Sequence, residues 1–369
     1  MVSRFEFDLA DDTDNKRLRQ RMAEDFMPGK IAVSFRREPD YFSGAVLQGE
    51  QAQIIKCTDK QADRLVGLAA RVTLDTYING GVHRVGYLSD LRCDKKYRSG
   101  TLLARGYRYL NHLHQSDPVP WYYTVIYDGN DRARDMLTST RAGLPEYKSA
   151  GKVLTPAIML MNARRLDKMN GVTIMQANTA QLAEVFTFIN QHYKEKQFAP
   201  VYRLADWGTP RLGGLNCQDI YLAIRDNHIV GVAAAWDQSH CRQTHVEAYC
   251  GAMRFYKPVY NVLSKVLPIK RLPEIGGRIP YLYLSLVAIK GNDVDIFRQL
   301  MAHIYNDRRA GNWHYLIPGI HEDDPLAEVL DDYRRIEAHG NVYLVQYDNA
   351  GDTQLPLDNR LLHIEAATL

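Results

Sequence analysis

The sequence predicts an α/β chain made of two similar halves, and three observations carry that reading. Long β-prone runs alternate with stretches of amphipathic helical spacing. Tyr87-Leu88-Ser89 recurs 196 residues later as Tyr283-Leu284-Ser285, and Trp121 before a strand recurs 192 residues later as Trp313. Two nearly equal offsets point to a duplicated unit. The length of 369 residues, at ~150 residues per domain, suits two domains.

The elements follow in order. Val66–Ile78 and Val82–Cys93 are β-prone runs joined by Asn79-Gly80-Gly81, residues that tolerate positive φ and mark a tight hairpin. Strict alternation in the second run puts Val85, Tyr87, Leu91 and Cys93 on one face and Arg84, Asp90 and Arg92 on the other. Thr101–His114 has helical spacing, with Leu103, Tyr107 and Leu110 on one stripe. Trp121–Tyr127 reads as a buried strand, Asn130–Leu137 as a short helix, and Val153–Met161 as the strand that closes the half. After the polar, basic stretch Asn162–Asn170 the pattern restarts. Val172–Gln176 is a strand and Thr179–Lys196 a helix opened by a threonine cap. Asp219–Arg225 and Ile229–Trp236 form a hairpin across Asp226-Asn227-His228. Tyr281–Ile289 and Trp313–Pro318 are strands, and Asp293–Arg309 and Asp324–Tyr333 helices. The expected domains are residues 1–165 and 166–369, the second carrying an inserted basic, proline-bearing segment at about 243–280.

Composition narrows the function. Hydrophobic residues at 46% and charged residues at 24% exclude a disordered or fibrous chain. Lys+Arg 46 against Asp+Glu 43 is too balanced for a chain built around nucleic acid. Apolar runs such as Ile229–Trp236 fall short of the ~20 residues that span a bilayer, and Met1–Ala10 is too charged for a secretory signal. A cytoplasmic protein with no nucleic-acid or membrane partner is expected. Five cysteines without a C-x-x-C pair argue for reduced thiols rather than disulfides or zinc. His112 and His114 lie on different faces of their helix, so no metal is expected.

The chemistry centres on Leu91-Arg92-Cys93-Asp94-Lys95-Lys96-Tyr97-Arg98-Ser99-Gly100-Thr101-Leu102-Leu103. A strand runs through a short basic loop directly into a helix. Free backbone amides and the helix dipole favour an anion there, Arg98 adds charge, and Gly100 lets a phosphate approach the main chain. The segment suits a pyrophosphate.

It resembles motif A of the GNAT superfamily of N-acetyltransferases, L-x-V-x-P-x-x-(Q/R)-x-x-G-x-(G/A). Leu91 and Cys93 fall at its apolar positions and Arg98 at its Q/R position. Tyr87-Leu88-Ser89-Asp90 resembles the aromatic-x-x-Asp strand that precedes the motif, and Asn130 with Ala133 the later Asn-x-x-Ala. The likeness runs over roughly Ile54–Leu160. Lys95 stands where Pro is usual, Thr101 and Leu103 where Gly or Ala is common, and Leu137 where the family's acidic Tyr falls.

The resemblance implies two GNAT-like domains, each a mixed, mostly antiparallel twisted sheet flanked by helices, the second degenerate. It implies acetyl-CoA as co-substrate, held by Leu91, Arg92, Cys93, Arg98, Ser99, Gly100, Thr101, Leu102, Leu103 and Asn130. The pantetheine arm would enter where the Cys93 strand splays from Trp121–Tyr127, with main-chain amides near Arg92 polarising the thioester. Asp90 is the candidate base, and Tyr127 and Tyr147 are candidate acids. The activity implied is transfer of an acetyl group to a primary amine, on a small molecule or peptide, in a ternary complex. The alternative is a non-catalytic acyl-CoA or metabolite-binding protein. In the second half, the Tyr-Leu-Ser alignment sets Val294 against Arg98 and brings Asp293 near the phosphate position.

Overall fold

The computed structural model describes residues 3–98, 101–139, 143–165, 171–347 and 355–369. Its strands in chain order are β1 (Phe5–Leu9), β2 (Ile31–Arg36), β3 (Gln51–Asp59), β4 (Arg64–Ile78), β5 (Gly81–Cys93), β6 (Tyr122–Tyr127), β7 (Glu146–Leu154), β8 (Ala157–Met159) and β9 (Thr173–Gln176). They continue with β10 (Ala199–Pro200), β11 (Ile220–Arg225), β12 (His228–Trp236), β13 (Gln243–Tyr249), β14 (Tyr281–Ile289), β15 (Tyr315–Ile317), β16 (Ile320–His321), β17 (Arg335–Ile336) and β18 (His339–Gln346). The helices are α1 (Asn15–Glu24), α2 (Tyr41–Val46), α3 (Leu102–Ser116), α4 (Asp131–Leu137), α5 (Leu182–Tyr193), α6 (Met253–Leu263) and α7 (Val294–Arg308).

Turn chemistry sets the two long hairpins. Asn79 and Gly80 both adopt positive φ between β4 and β5, and Asp226 and Asn227 do so between β11 and β12. β5 then runs through a loop into α3 and β6, and β14, reached from β12 through β13 and α6, runs through a loop into α7 and β15; the two units sit in sheets of the same order.

The first sheet runs β1-β3-β4-β5-β6-β18-β7, with β16 beside β7 and β10 beside β4. The second runs β9-β11-β12-β14-β15-β8-β17. In each, the fourth and fifth strands are the parallel pair, β5 with β6 and β14 with β15. The neighbouring pairs are antiparallel. The sixth place is exchanged: β18 from the C-terminal half completes the first sheet, and β8 from the N-terminal half completes the second.

This exchange revises the expected closing strand Val153–Met161. The run divides into the end of β7, paired with β18, and β8, paired with β15. Two other local readings also change. The cap ahead of α5 is Asn178, whose side chain accepts from the Ala180 amide and whose own amide donates to Gln181, rather than Thr179. Pro325–Asp332 winds as a 3-10 helix rather than an α-helix, capped by Asp324.

Each sheet is packed on both faces. On the first, Leu18 and Met22 of α1 with Tyr41 and Ala45 of α2 cover one face. Tyr107, Leu110 and Leu113 of α3 with Leu137 of α4 cover the other. Burying side chains of this size stabilises by roughly 1.5–3 kcal/mol each, which is what holds α3 with its N-terminus at the end of β5. The second sheet is covered by α5 on one face and α7 on the other. Among the described residues no helix is long and apolar enough to cross a membrane.

Candidate active site

The site begins where β5 and β6 part. They pair only at Gly86↔Tyr122 and Tyr87↔Tyr123, and the Thr124 hydroxyl donates to the Leu88 carbonyl at 2.7 Å just beyond. Gly86 is required at the fork, because a Cβ there would lie 2.1 Å from the Tyr122 ring. Past it, β5 continues to Cys93 and β6 to Tyr127 without pairing, so the strands splay as the family resemblance implies.

The β5 ladder slips at the same place. Leu68 faces Arg92 but Ala70 faces Ser89, leaving Asp90 and Leu91 opposite the single residue Ala69. Asp90 takes φ 52°, a left-handed conformation that favours Gly, Asn and Asp. The bulge breaks the alternation that set Asp90 opposite Tyr87. Asp90 instead lies on the α1/α2 face, where it accepts from the Tyr41 hydroxyl at 2.8 Å and pairs with Arg37 at 2.5 Å. Both contacts fall on Oδ2. Arg84, which alternation set on the same face as Asp90, instead bonds Gln51 and Thr73. Burial pushes the Asp90 carboxyl up, but Arg37, Arg92, the Tyr41 bond and Arg242 outweigh it and hold it below the usual range.

Tyr127 stands across the splay and is 37% exposed. Its hydroxyl is pushed up to about 12 by burial and by Tyr283, against the Thr155 bond and Arg242. Arg242 lies 5.4 Å from the centre of the Tyr283 ring and donates to the Gln238 side chain and to the Ala367 and Leu369 carbonyls. Gly44 in α2 makes room for both arginines: a Cβ there would come within 2.9 Å of Arg37 and 3.3 Å of Arg242. Asp90 and Tyr127 thus share a cluster with Arg37, Tyr41, Arg242 and Tyr283, four residues the sequence reading missed. Tyr283 belongs to the repeated Tyr-Leu-Ser, the one signal that could have found it. Tyr147 is not part of this group. It lies on the α3 face, where its hydroxyl meets that of Tyr107, and burial raises it well above the ordinary tyrosine value.

On the loop side, Leu91 is exposed and Cys93 half-buried, its carbonyl accepting from Arg98 Nε at 2.9 Å. Arg98 also reaches Asp25 at 3.3 Å, so it braces the loop. Its own carbonyl accepts from Arg132 of α4 at 3.3 Å. Arg92 Nε is buried without a hydrogen-bond partner. Ser99 and Gly100 lie outside the described residues. Thr101 is the N-cap of α3 and makes no side-chain cap bond, and the positive end of the helix dipole there favours an anion. Asn130 is exposed at the N-cap of α4, also without a side-chain cap bond.

The second half repeats the bulge, and β14 likewise runs on to Ile289 beyond its last pairing with β15, Tyr283↔Ile317. Val232 faces Ala288 and Ala234 faces Ser285, with Leu286 at φ 54°. Leu286 is the counterpart of Asp90. Its amide donates to Glu365 Oε2 at 3.0 Å, so a carboxylate of the chain occupies the inner side of that bulge. The loop from β14 to α7 is four residues, Lys290–Asp293, against eight from β5 to α3, Asp94–Thr101. Val294 therefore starts the helix and corresponds to Leu102, which corrects its match with Arg98. Asp293 caps α7 through the amides of Asp295 and Ile296. A cavity of about 600 Å³ lined by Arg225, His228, Lys290 and Asp293 lies beside this capped end, away from the β5/β6 fork. Among the described residues no group of three or more His, Cys, Asp or Glu could hold a metal ion.

No family model and no curated protein matches the chain. Solved structures do. Saccharomyces cerevisiae N-myristoyltransferase with bound myristoyl-CoA aligns over 94% of this chain and 80% of its own at 12% identity, with a TM-score of 0.62. The same enzyme with myristoyl-CoA and inhibitors aligns over 99% of this chain and 88% of its own, again at 12% and 0.62. A GCN5-related glucosamine N-acetyltransferase region of a fungal multi-domain GH3 β-N-acetylglucosaminidase aligns over 93% of this chain and 38% of its own at 10% identity and 0.62. With the shared strand order, the parallel fourth and fifth strands and the paired bulges, these likenesses settle the architecture: the chain carries the GNAT fold twice, in tandem.

Proposed function

We propose that the protein is an acyl-CoA-dependent N-acyltransferase that moves an acetyl group to a primary amine by direct transfer in a ternary complex. One observation carries the reading: a strand fork beside a bulge, opening next to a helix whose N-terminus has no side-chain cap. The likeness to acyltransferases of the same fold supports it. Residues 1–165 would supply the acyl-CoA site and 166–369 the degenerate unit that walls the acceptor side.

In this reading the CoA phosphates meet the loop that Arg98 braces and the N-terminus of α3, and Ser99, Gly100, Thr101, Leu102, Leu103 and Asn130 are the proposed contacts. The pantetheine arm lies along Leu91–Cys93, and main-chain amides near Arg92 receive the thioester oxygen. Asp90 Oδ1 faces the acceptor and, directly or through a water, takes the proton from its ammonium. The freed amine attacks the carbonyl carbon; the C–N bond forms as the C–S bond breaks. Tyr127, protonated across the physiological range, donates to the departing thiolate and is reprotonated, through water, by the second proton that the nitrogen sheds as the amide forms. Tyr147, packed on the α3 face against Tyr107, has no part in this reading. The acceptor is a small molecule or peptide carrying the amine.

The test is an acceptor-panel assay for thiol release from acetyl-CoA, beside mass analysis of the purified protein for bound CoA. Thiol release that depends on an amine supports the enzyme. Bound CoA without release from any amine would favour the non-catalytic binding protein, a reading supported by Leu137 at the usual acid position.

A further inference from the structure

The inserted segment ends in a surface that the rest of the fold does not use. β2 and β13 form a two-stranded ribbon running from Arg36↔Gln243 at its base to Ile31↔Tyr249 at its tip, and α6 follows. The helix is anchored from within: Met253 and Tyr260 pack on Val246, Tyr249 and Leu272. Its other side is apolar and bare. Phe255, Val259, Val262 and Val266 stand at i, i+4, i+7 and i+11, a single stripe that continues into the turn after the helix. They are 78%, 57%, 64% and 80% exposed, and Tyr256 and Leu267 widen the stripe. With the inner side already engaged, the helix cannot turn this stripe inward.

Charge identifies what covers it. Residues 251–280 hold six cations and one acid, Glu274. Lys257 and Lys270 are used internally, on Glu274 and on the Arg309 and Gly311 carbonyls. Arg254 and Lys265 are exposed beside the stripe; Arg271 and Arg278 are exposed too, the first paired with Glu274 at 3.5 Å and the second bridged to His245 of the ribbon. A second copy of the chain would bring the same cations face to face across a two-fold contact, which is unfavourable. An anionic bilayer surface satisfies both features, the apolar stripe entering the headgroup boundary and the cations meeting lipid phosphates.

We infer that α6 and its flanking cations are a peripheral docking site for anionic membrane surfaces. This departs from the sequence expectation of no membrane partner, because the exposed side of the stripe is visible only once the packed side is known. The base of the ribbon runs into Arg37 and Arg242, so docking would set the acceptor cleft roughly 20 Å above the bilayer.

Co-sedimentation of the whole chain with phosphatidylcholine vesicles, with and without phosphatidylglycerol, tests it. Binding should require phosphatidylglycerol and fall with added salt. The double variant Phe255→Ser, Val262→Ser should weaken it at least about tenfold while its thermal unfolding stays at the wild-type temperature. Lys265→Glu with Arg254→Glu should weaken it too, with the apolar stripe intact. Equal sedimentation with neutral vesicles, or none with anionic ones, overturns the inference. So does light scattering that shows a dimer which the serine variants make monomeric.

Discussion

Asp90 is kept ionised by Arg37 and by the Tyr41 hydroxyl, with its carboxyl below the ordinary range despite burial. The acid limb of a rate profile above about pH 4 therefore reports the acceptor ammonium rather than this carboxylate. Asp90→Asn should lower turnover by about a hundredfold with the KM for acyl-CoA nearly unchanged, measured by steady-state kinetics with a verified amine. Unchanged turnover would place the base elsewhere. Glu365 behaves in the opposite sense. Burial pushes it up to about 7, although the Leu286 and Ala367 amides and Tyr193 pull it down. A carboxyl raised above its unfolded value of about 4.3 favours the folded chain while protonated. That contribution is complete below about pH 4 and is lost as pH rises through about 7. Urea unfolding should show wild type losing roughly 2–4 kcal/mol more than Glu365→Gln between those limits. Parallel curves would mean that Glu365 is not held near neutrality.

Elements differ most at the two loop–helix junctions. Arg98→Ala removes the brace from the eight-residue loop, and loss of charge-assisted bonds of roughly 1.5–3 kcal/mol predicts CoA binding about ten- to a hundredfold weaker. Asp293→Ala removes the cap of α7 and should cost about 1 kcal/mol of stability without touching CoA affinity. Thermal melts and a CoA titration on both variants separate the two junctions. The hairpins and the strand–loop–helix order were legible in the sequence because turn residues and helical spacing act over a few positions. The bulge at Asp90 was not. An aspartate at positive φ has no local signature there, and the slip arises from the ladder with β4. The repeated Tyr-Leu-Ser located the matching bulge at Leu286 without disclosing it, and the residues that complete the cluster around Asp90, Arg37, Tyr41 and Arg242, come from distant segments.

Across the whole molecule, β18 and β8 bind the halves together by exchange. Sequence pattern could not assign them, since pairing between strands roughly 155 to 225 residues apart leaves no local trace. Each sheet lacks an interior strand without the other half, so calorimetric unfolding should be a single cooperative transition. Two resolved transitions would mean that the exchange contributes little. The Glu365 carboxyl at the Leu286 bulge and the capped α7 set the second unit apart from the first, where neither is found among the described residues.

The most direct measurement of the central claim is calorimetric titration of the whole chain with acetyl-CoA, on wild type, Arg98→Ala and Val294→Ala. The account predicts one site per chain, weakened about ten- to a hundredfold by Arg98→Ala and unchanged by Val294→Ala. Two sites per chain, or a single site lost with Val294→Ala and kept with Arg98→Ala, would contradict it.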